Sequence, residues 1–388
     1  DEAAGKIIEG LKKLEYRGYD SSGIAILSDK GIELNKCKGE IKNLENMIAG
    51  RVPKGTCGIG HTRWATHGAP SDVNSHPHMD QSGRVALVHN GIVENYVELK
   101  ETLINEHGIK FKSETDSEVI AQLVGVKYNA NGGDLEKAVY DATKEMRGTY
   151  AIGVIAEGTP DKIVAYRKEA PLIAGLGKKS NFIASDIPAL LKYTNDIFLI
   201  ENDEMVICTP DSITIKDKDG KEVKREAMKI TWSVEDAEKG GYEHFMLKEI
   251  NEQPKVVAET LNRRIDEDGK IKLDGINLTK EELDEYNKIY IVACGTAYHA
   301  GLVGKYVIEK MAGIAVEVDV ASEFRYRDPF IDEKTLFIAI SQSGETLDTL
   351  MSLRLAKEKG ARVLSVVNVV GSSIARESDD VFYTWAGP

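Results

Sequence analysis

The sequence predicts two unlike folds in succession, a layered α+β unit followed by an α/β unit built on a parallel sheet. Three observations carry this prediction. Strand-like and helix-like stretches alternate irregularly, with many turn signals, through the first part of the chain. From residue 288 onward, short apolar runs are mostly separated by helix-length segments, the pattern of a parallel sheet with helices on both faces. Between the two, SVEDAEKGGY at 233–242 is acidic, holds a Gly pair and has little periodicity, as an interdomain hinge would. The predicted division is therefore 1–232, a linker with a connecting helix over 233–275, and 276–388.

In the first unit, Ile7, Ile8, Leu11 and Leu14 recur at helical spacing and give an opening helix one apolar face. Short apolar runs predict strands at 23–27, 56–60, 86–88, 151–155, 163–166, 198–200 and 205–208. Helices are predicted at 117–128 and 135–146. A further helix containing 244–251 is predicted to stop around Pro254, which has no N–H to continue it. In the second unit, 289–293, 315–320, 336–340 and 362–367 read as buried parallel strands.

Composition excludes several classes of function. The 388 residues exceed one ordinary core, and 42% hydrophobic with 29% charged residues is normal for a soluble globular protein. No apolar run approaches the ~20 residues of a membrane span, so no membrane partner is expected. A net charge of −13 argues against nucleic acid as the main partner. Cys37, Cys57, Cys208 and Cys294 are scattered without a CxxC pair, which fits the reduced thiols of a cytoplasmic protein.

The segment SQSGET at 341–346 follows an apolar run and precedes a helix-like stretch. The first-turn N–H groups of such a helix lack intrahelical partners and carry the positive end of its dipole. Ser341, Ser343 and Thr346 add hydroxyls, and Gly344 lets the backbone approach an anion. The loop has no lysine and is not a Walker sequence, so a small sugar phosphate suits it better than a nucleoside triphosphate. CGTAY at 294–298 occupies the equivalent strand end, where ligands of parallel sheets bind. Against this stands the plainer possibility that both are βα turns with a capping Ser or Thr.

In the first unit, HTRWATHG (61–68), HPH (76–78) and VHNG (88–91) hold five of the eight histidines. No Cys pair or HExxH accompanies them and Pro77 lies inside the closest pair, so a metal is not expected. Arg63 has the fork geometry for a carboxylate. Asn90 and Gly91, placed just after a strand, offer a side-chain amide and a backbone N–H to a developing oxyanion. Asp116 in SETDSE suits an ammonium group, although Thr115 or Asp116 is equally suited to cap the following helix. Together these groups would hold an amino acid; a nucleophile is absent.

LEYRGYDS (14–21), HTRWATHG, VHNGIVEN, SETDSE, CGTAY, ASEFRYR (321–327) and SQSGET occur in the order found in the glutamine–fructose-6-phosphate aminotransferase (isomerizing) family, which the whole chain resembles. The resemblance implies an N-terminal-nucleophile glutaminase domain of layered αββα type joined to an α/β sugar isomerase (SIS) domain. It implies that glutamine is hydrolysed in the first and that the ammonia passes through an internal channel to fructose 6-phosphate in the second. The product would be glucosamine 6-phosphate, formed without a cofactor. By the same resemblance Arg63, Thr66, His67 and Asp116 bind glutamine, Asn90 and Gly91 form the oxyanion hole, and Trp64 gates the channel. A buried core tryptophan is the plainer reading of Trp64. Thr296, Ser341, Gln342, Ser343 and Thr346 match the sugar-phosphate ligands, while Ala297 stands where the family often has a serine. The family is usually dimeric, with the sugar site completed across subunits.

The ends depart from the pattern. Family members begin with a cysteine whose thiolate attacks the glutamine amide, whereas this chain begins at Asp1. They also continue past the strand-like 381–384 into a second SIS subdomain and a tail with a Schiff-base lysine. An internal piece of a longer protein, or an incomplete gene product, is expected, better at binding than at catalysis. Amidophosphoribosyltransferase is disfavoured because Asp379–Asp380 leads into Val381–Phe382–Tyr383 and not Arg-Gly-Thr. A non-catalytic sugar-phosphate regulator is the alternative from another class.

Overall fold

The computed structural model describes residues 2–15, 18–65, 68–230 and 240–387, which form two compact units, Asp1–Val234 and Glu235–Pro388. Most of the predicted hinge, residues 233–239, lies outside the described residues.

The first unit opens with α1 (Ala3–Leu14), the hairpin β1 (Ser21–Ser28) and β2 (Gly31–Lys38), α2 (Ile41–Ile48) and β3 (Cys57–Arg63). These strands form an antiparallel sheet of order β2-β1-β3. There follow β4 (His78–Met79), β5 (Val85–Val93), α3 (Tyr96–His107), α4 (Asp116–Ala130), α5 (Leu135–Glu145), β6 (Gly148–Ala156) and β7 (Ile163–Lys168). After the short β8 (Ile173–Gly175), β9 (Phe182–Ala184) and β10 (Asp196–Leu199) come β11 (Glu204–Cys208), β12 (Ile213–Lys216) and β13 (Met228–Lys229). A six-stranded sheet runs β12-β11-β7-β6-β5-β4, and a four-stranded one β13-β10-β8-β9.

The layering follows from side-chain alternation along the strands. On β1, Ile24 and Ile26 face α1 and α2, packing with Ile8, Leu11 and Leu44. Ala25 and Leu27 face the other way and meet Ala86 and Ile155 of the six-stranded sheet. On that sheet Val85, Leu87 and Val154 turn outward to Ile120, Leu123 and Ala138 of α4 and α5. The order is thus helix, sheet, sheet, helix. Both sheets are buried on both faces, so their central strands read as unbroken apolar runs although they are antiparallel.

Two expectations need correction. Asn90 and Gly91 do not follow a strand but lie within β5, paired with Ala151 and Tyr150 of β6. Gly91 makes this possible: its φ is +116°, and a Cβ there would sit 2.0 Å from the Thr149 carbonyl oxygen. Nor does the connecting helix stop at proline, since α6 (Phe245–Asn262) runs through Pro254. Pro254 and Ile250 are both exposed, so water can take the carbonyl bond that the missing N–H leaves open.

The second unit continues with α7 (Lys280–Glu285), β14 (Lys288–Ala293), α8 (Gly295–Ala312), β15 (Ala315–Val320) and α9 (Ala321–Phe324). It ends with β16 (Thr335–Ser341), α10 (Leu347–Glu358), β17 (Arg362–Val367), α11 (Ser373–Glu377) and β18 (Asp380–Tyr383). The five strands are all parallel, in the order β15-β14-β16-β17-β18. Tyr290, Val292, Phe337 and Ala339 cover one face with Phe324, Leu350, Leu353 and Ile374. Ile289, Ile291, Val316 and Leu336 cover the other, against Ile308 of α8.

Candidate functional site

In the first unit the candidate groups collect where β3, β5 and the start of α4 meet. Thr115 is the N-cap of α4, its hydroxyl accepting from the Glu118 N–H at 3.2 Å. The capping role therefore goes to Thr115, and the Asp116 carboxylate turns elsewhere. Its Oδ2 accepts from the Val93 N–H at the end of β5, at 3.0 Å. Arg63 closes β3, only 5% exposed, with one Nη donating to the Gly68 carbonyl at 3.2 Å. Burial lowers the pull of Arg63 for its proton, with Asp116 and then Asp20 opposing that shift. Thr66 and His67 lie outside the described residues.

Asn90 is held from the facing sheet, its Oδ1 lying 2.9 Å from Nε2 of His61 on β3. His61 stacks on His76 with centroids 4.3 Å apart, and His76 meets His78 edge-on at 5.0 Å. His78 bonds the Thr115 hydroxyl at 3.1 Å, and His89 Nδ1 lies 2.8 Å from the Ser117 hydroxyl. Burial pushes His61 down to about 4 and holds His76 and His78 well below their ordinary value. His89 is also lowered by burial, with the Asp116 charge opposing. These rings stack on one another and bond to hydroxyl, amide or backbone groups; among the described residues no group of three or more His, Cys, Asp or Glu converges on a metal position.

Trp64 is not buried. It is 59% exposed and packs edge-on against Tyr19 at 5.6 Å, so the core-tryptophan reading fails. The thiols of Cys57 and Cys208 are pushed up to about 12 by burial, and that of Cys37 is raised as well. None of these three is poised as a thiolate nucleophile.

In the second unit, neighbouring strands bring the two predicted loops to one end of the sheet. Ala293 of β14 pairs with Ile340 of β16, so Cys294–Thr296 and Ser341–Thr346 leave the sheet side by side. The Thr349 hydroxyl of α10 reaches within 4.0 Å of Cys294 Sγ. Thr346 occupies the N-cap position of α10 but makes no side-chain cap bond. Its hydroxyl instead lies 3.1 Å from that of Ser341, which also accepts the Gly344 N–H at 3.1 Å. The Ser343 hydroxyl accepts the Glu345 N–H at 3.2 Å. Cys294, the N-cap of α8, has no cap bond either, and Thr296 is exposed in the first turn. Simple Ser/Thr capping accounts for neither turn. Two helix N-termini with hydroxyls around them make a cradle of hydrogen-bond donors that suits an oxyanion.

Sequence reasoning missed what holds this loop. Gly344 has φ +64°, and a Cβ there would lie 2.0 Å from Ser372 Oγ in the turn after β17. Glu345 turns away from the cradle, accepting from the Ser373 N–H at 2.7 Å and the Ser373 hydroxyl at 2.8 Å. Gln342 is exposed, its carbonyl accepting the Asn368 N–H at 3.1 Å. The only sequence signal is GSS at 371–373, a second small-residue turn at a strand end.

A family model described as a glutamine amidotransferase domain matches residues 61–192, and one described as a SIS domain matches 282–388. The chain is 59% identical over 387 residues to a glutamine–fructose-6-phosphate aminotransferase (isomerizing) of Clostridium tetani, covering 100% of this chain and 63% of that protein. It is 50% identical over 383 residues to the protein of the same name from Thermus thermophilus, covering 98% and 62%. The chain thus spans a little under two thirds of the length of the curated relatives it matches. A solved B. subtilis glutamine phosphoribosylpyrophosphate amidotransferase shares the fold, with TM-score 0.51 and 18% identity over 95% of this chain and 79% of that one.

Proposed function

The chain belongs to the glutamine–fructose-6-phosphate aminotransferase (isomerizing) family, and from that premise we propose that its full-length gene product moves the amide nitrogen of glutamine onto fructose 6-phosphate. Glutamine is hydrolysed in the first unit to glutamate and ammonia. The ammonia reacts in the second unit's site, and the product is glucosamine 6-phosphate. The names of the relatives favour this enzyme over a non-catalytic sugar-phosphate regulator.

Arg63 takes the glutamine carboxylate and Asp116 its ammonium, with Thr66 and His67 as further glutamine ligands. The Asn90 side-chain amide and the Gly91 N–H receive the oxyanion formed when a thiolate adds to the amide carbon. Buried Cys37, Cys57 and Cys208 do not supply that thiolate, and we assign it to an amino-terminal cysteine of the kind the family uses. Trp64, exposed at the end of β3, is the channel gate. Thr296, Ser341, Gln342, Ser343 and Thr346 bind the sugar phosphate. We assign the glutaminase to 1–232, the linker to 233–275 and a first SIS subdomain to 276–388, in a cytoplasmic homodimer. No helix among the described residues is long and apolar enough to cross a membrane.

The observation that carries the reading is the convergence of Cys294–Thr296 and Ser341–Thr346 on neighbouring strand ends. Calorimetric titration of the chain tests it: fructose 6-phosphate binds, glucosamine 6-phosphate competes, and fructose does not. Equal binding of fructose and its phosphate would remove the phosphate assignment.

A further inference from the structure

The side-chain amide of Asn90 is nearly symmetric in shape, yet only one of its two orientations serves an oxyanion. With NH2 toward the ligand it stabilises developing negative charge; with its carbonyl there it repels it. Nothing in β5 itself makes that choice. The facing sheet does, through the His61 ring that lies 2.9 Å from the amide oxygen.

We infer that His61 is the positioning residue of the oxyanion hole: as the Nε2–H tautomer it donates to Asn90 Oδ1 and thereby turns the amide NH2 toward the reacting carbonyl. This rests on the glutaminase reading above.

The choice of tautomer comes from the other ring nitrogen. His61 Nδ1 is buried and meets no acceptor at hydrogen-bonding geometry among the described residues, although the His89 backbone lies close enough to the ring to favour its protonation. A proton placed there would leave a buried N–H without an acceptor, a rarer arrangement than a bare lone pair. The neutral ring therefore carries its proton on Nε2, and an Nε2–H can meet only the carbonyl end of the amide. Burial holds the ring at about 4, so it has one proton at neutral pH and the choice stays binary.

The ring is itself fixed. It stacks on His76 at 4.3 Å with planes 20° apart, and His76 Nδ1 accepts the His89 N–H at 3.4 Å. Gly23, which pairs with His61, has the His76 carbonyl oxygen 2.2 Å from where a Cβ would stand. The segment bearing His76 can press this close only because residue 23 lacks a side chain. Sheet pairing, ring stacking and one hydrogen bond thus set the polarity of Asn90 without His61 touching the substrate.

Two measurements test the inference. Long-range nitrogen–proton spectra of the chain with labelled histidine report the His61 tautomer directly; Nε2–H is expected, and a predominant Nδ1–H form would overturn the proposal. In the full-length gene product, His61→Leu removes the donor, while His61→Gln places an amide N–H at the same position. The expected result for His61→Leu is a kcat for glutamine hydrolysis lower by about ten- to a hundredfold, short of the roughly 10²–10³ for losing an oxyanion donor outright. KM should stay within about twofold, and His61→Gln should recover most of kcat. Equal losses in both variants, or a loss carried by KM, would overturn the positioning role. Absence of glutamine hydrolysis in the unaltered protein would instead remove the glutaminase reading, and this inference with it.

Discussion

The carboxylate of Asp116 accepts the Val93 backbone N–H at 3.0 Å, which ties the first residue of α4 to the strand that carries Asn90 and Gly91. Both groups are buried, so the bond holds the proposed ammonium site and the proposed oxyanion site in one frame.

Replacing Asp116 by Ala would leave the Val93 N–H buried and unpaired, a loss of about 1–3 kcal/mol. Asp116→Asn can still accept from that N–H but loses the charge. The expectation is that Asn keeps most of the stability, read by urea unfolding, while glutamine binding weakens at least about tenfold, as for removal of a charged hydrogen bond. Unchanged glutamine binding in Asp116→Asn would remove Asp116 from the site.

Gly91→Ala must either twist β5 or push β6 away, because the added Cβ falls 2.0 Å from the Thr149 oxygen at a φ of +116°. A loss of about 3 kcal/mol or more is expected in chemical denaturation. A stability equal to the unaltered chain would show that the backbone there is not held as described.

Glu345 gives a prediction in which two effects have opposite signs. By charge alone, removing a carboxylate beside an anion site tightens anion binding. By geometry, Glu345→Ala releases Ser373 and loosens the loop that Gly344 and Ser341 shape. The bonds to Ser373 are charge-assisted and short, so geometry should win, with fructose 6-phosphate affinity falling about five- to tenfold, the equivalent of one such bond. Tighter binding in a calorimetric titration would reverse that judgement.

Much of this was legible in the sequence, for identifiable reasons. The strands of the second unit stood out because parallel strands buried on both faces become unbroken apolar runs, as in 289–293 and 336–340. The end of β5 did not, since His89, Asn90 and Gly91 resemble a turn until Gly91 is seen to tolerate φ +116° inside the ladder. Helices α2 and α3 were missed; α3 buries only Leu99 and Leu103, too little for a periodic signal. The contacts that shape the sites join residues far apart, His61 with Asn90 and Glu345 with Ser373, and no spacing rule reaches across 29 or 28 positions.

The buried histidines set a pH dependence. His61 lies at about 4, and His76, His78 and His89 are also lowered by burial. Unfolded imidazoles sit near 6.5, so from about 6.5 down toward 4 the unfolded chain binds more protons than the folded one. Stability is then complete above about pH 6.5 and falls as the pH drops through that window, by roughly 1 kcal/mol per pH unit for each histidine. Urea midpoints should decline between about pH 7 and 5, with the His61, His76 and His78 rings neutral in spectra of the folded chain. Ring titrations centred near 6.5 would contradict this.

The central claim, transfer of an amide nitrogen to a sugar phosphate, is tested most directly with glutamine labelled with nitrogen-15 in its amide. The full-length gene product, given this glutamine, fructose 6-phosphate and an excess of unlabelled ammonium, should yield glucosamine 6-phosphate with the label in its amino group. Glutamate formed without labelled amino sugar, or no reaction at all, would contradict the account.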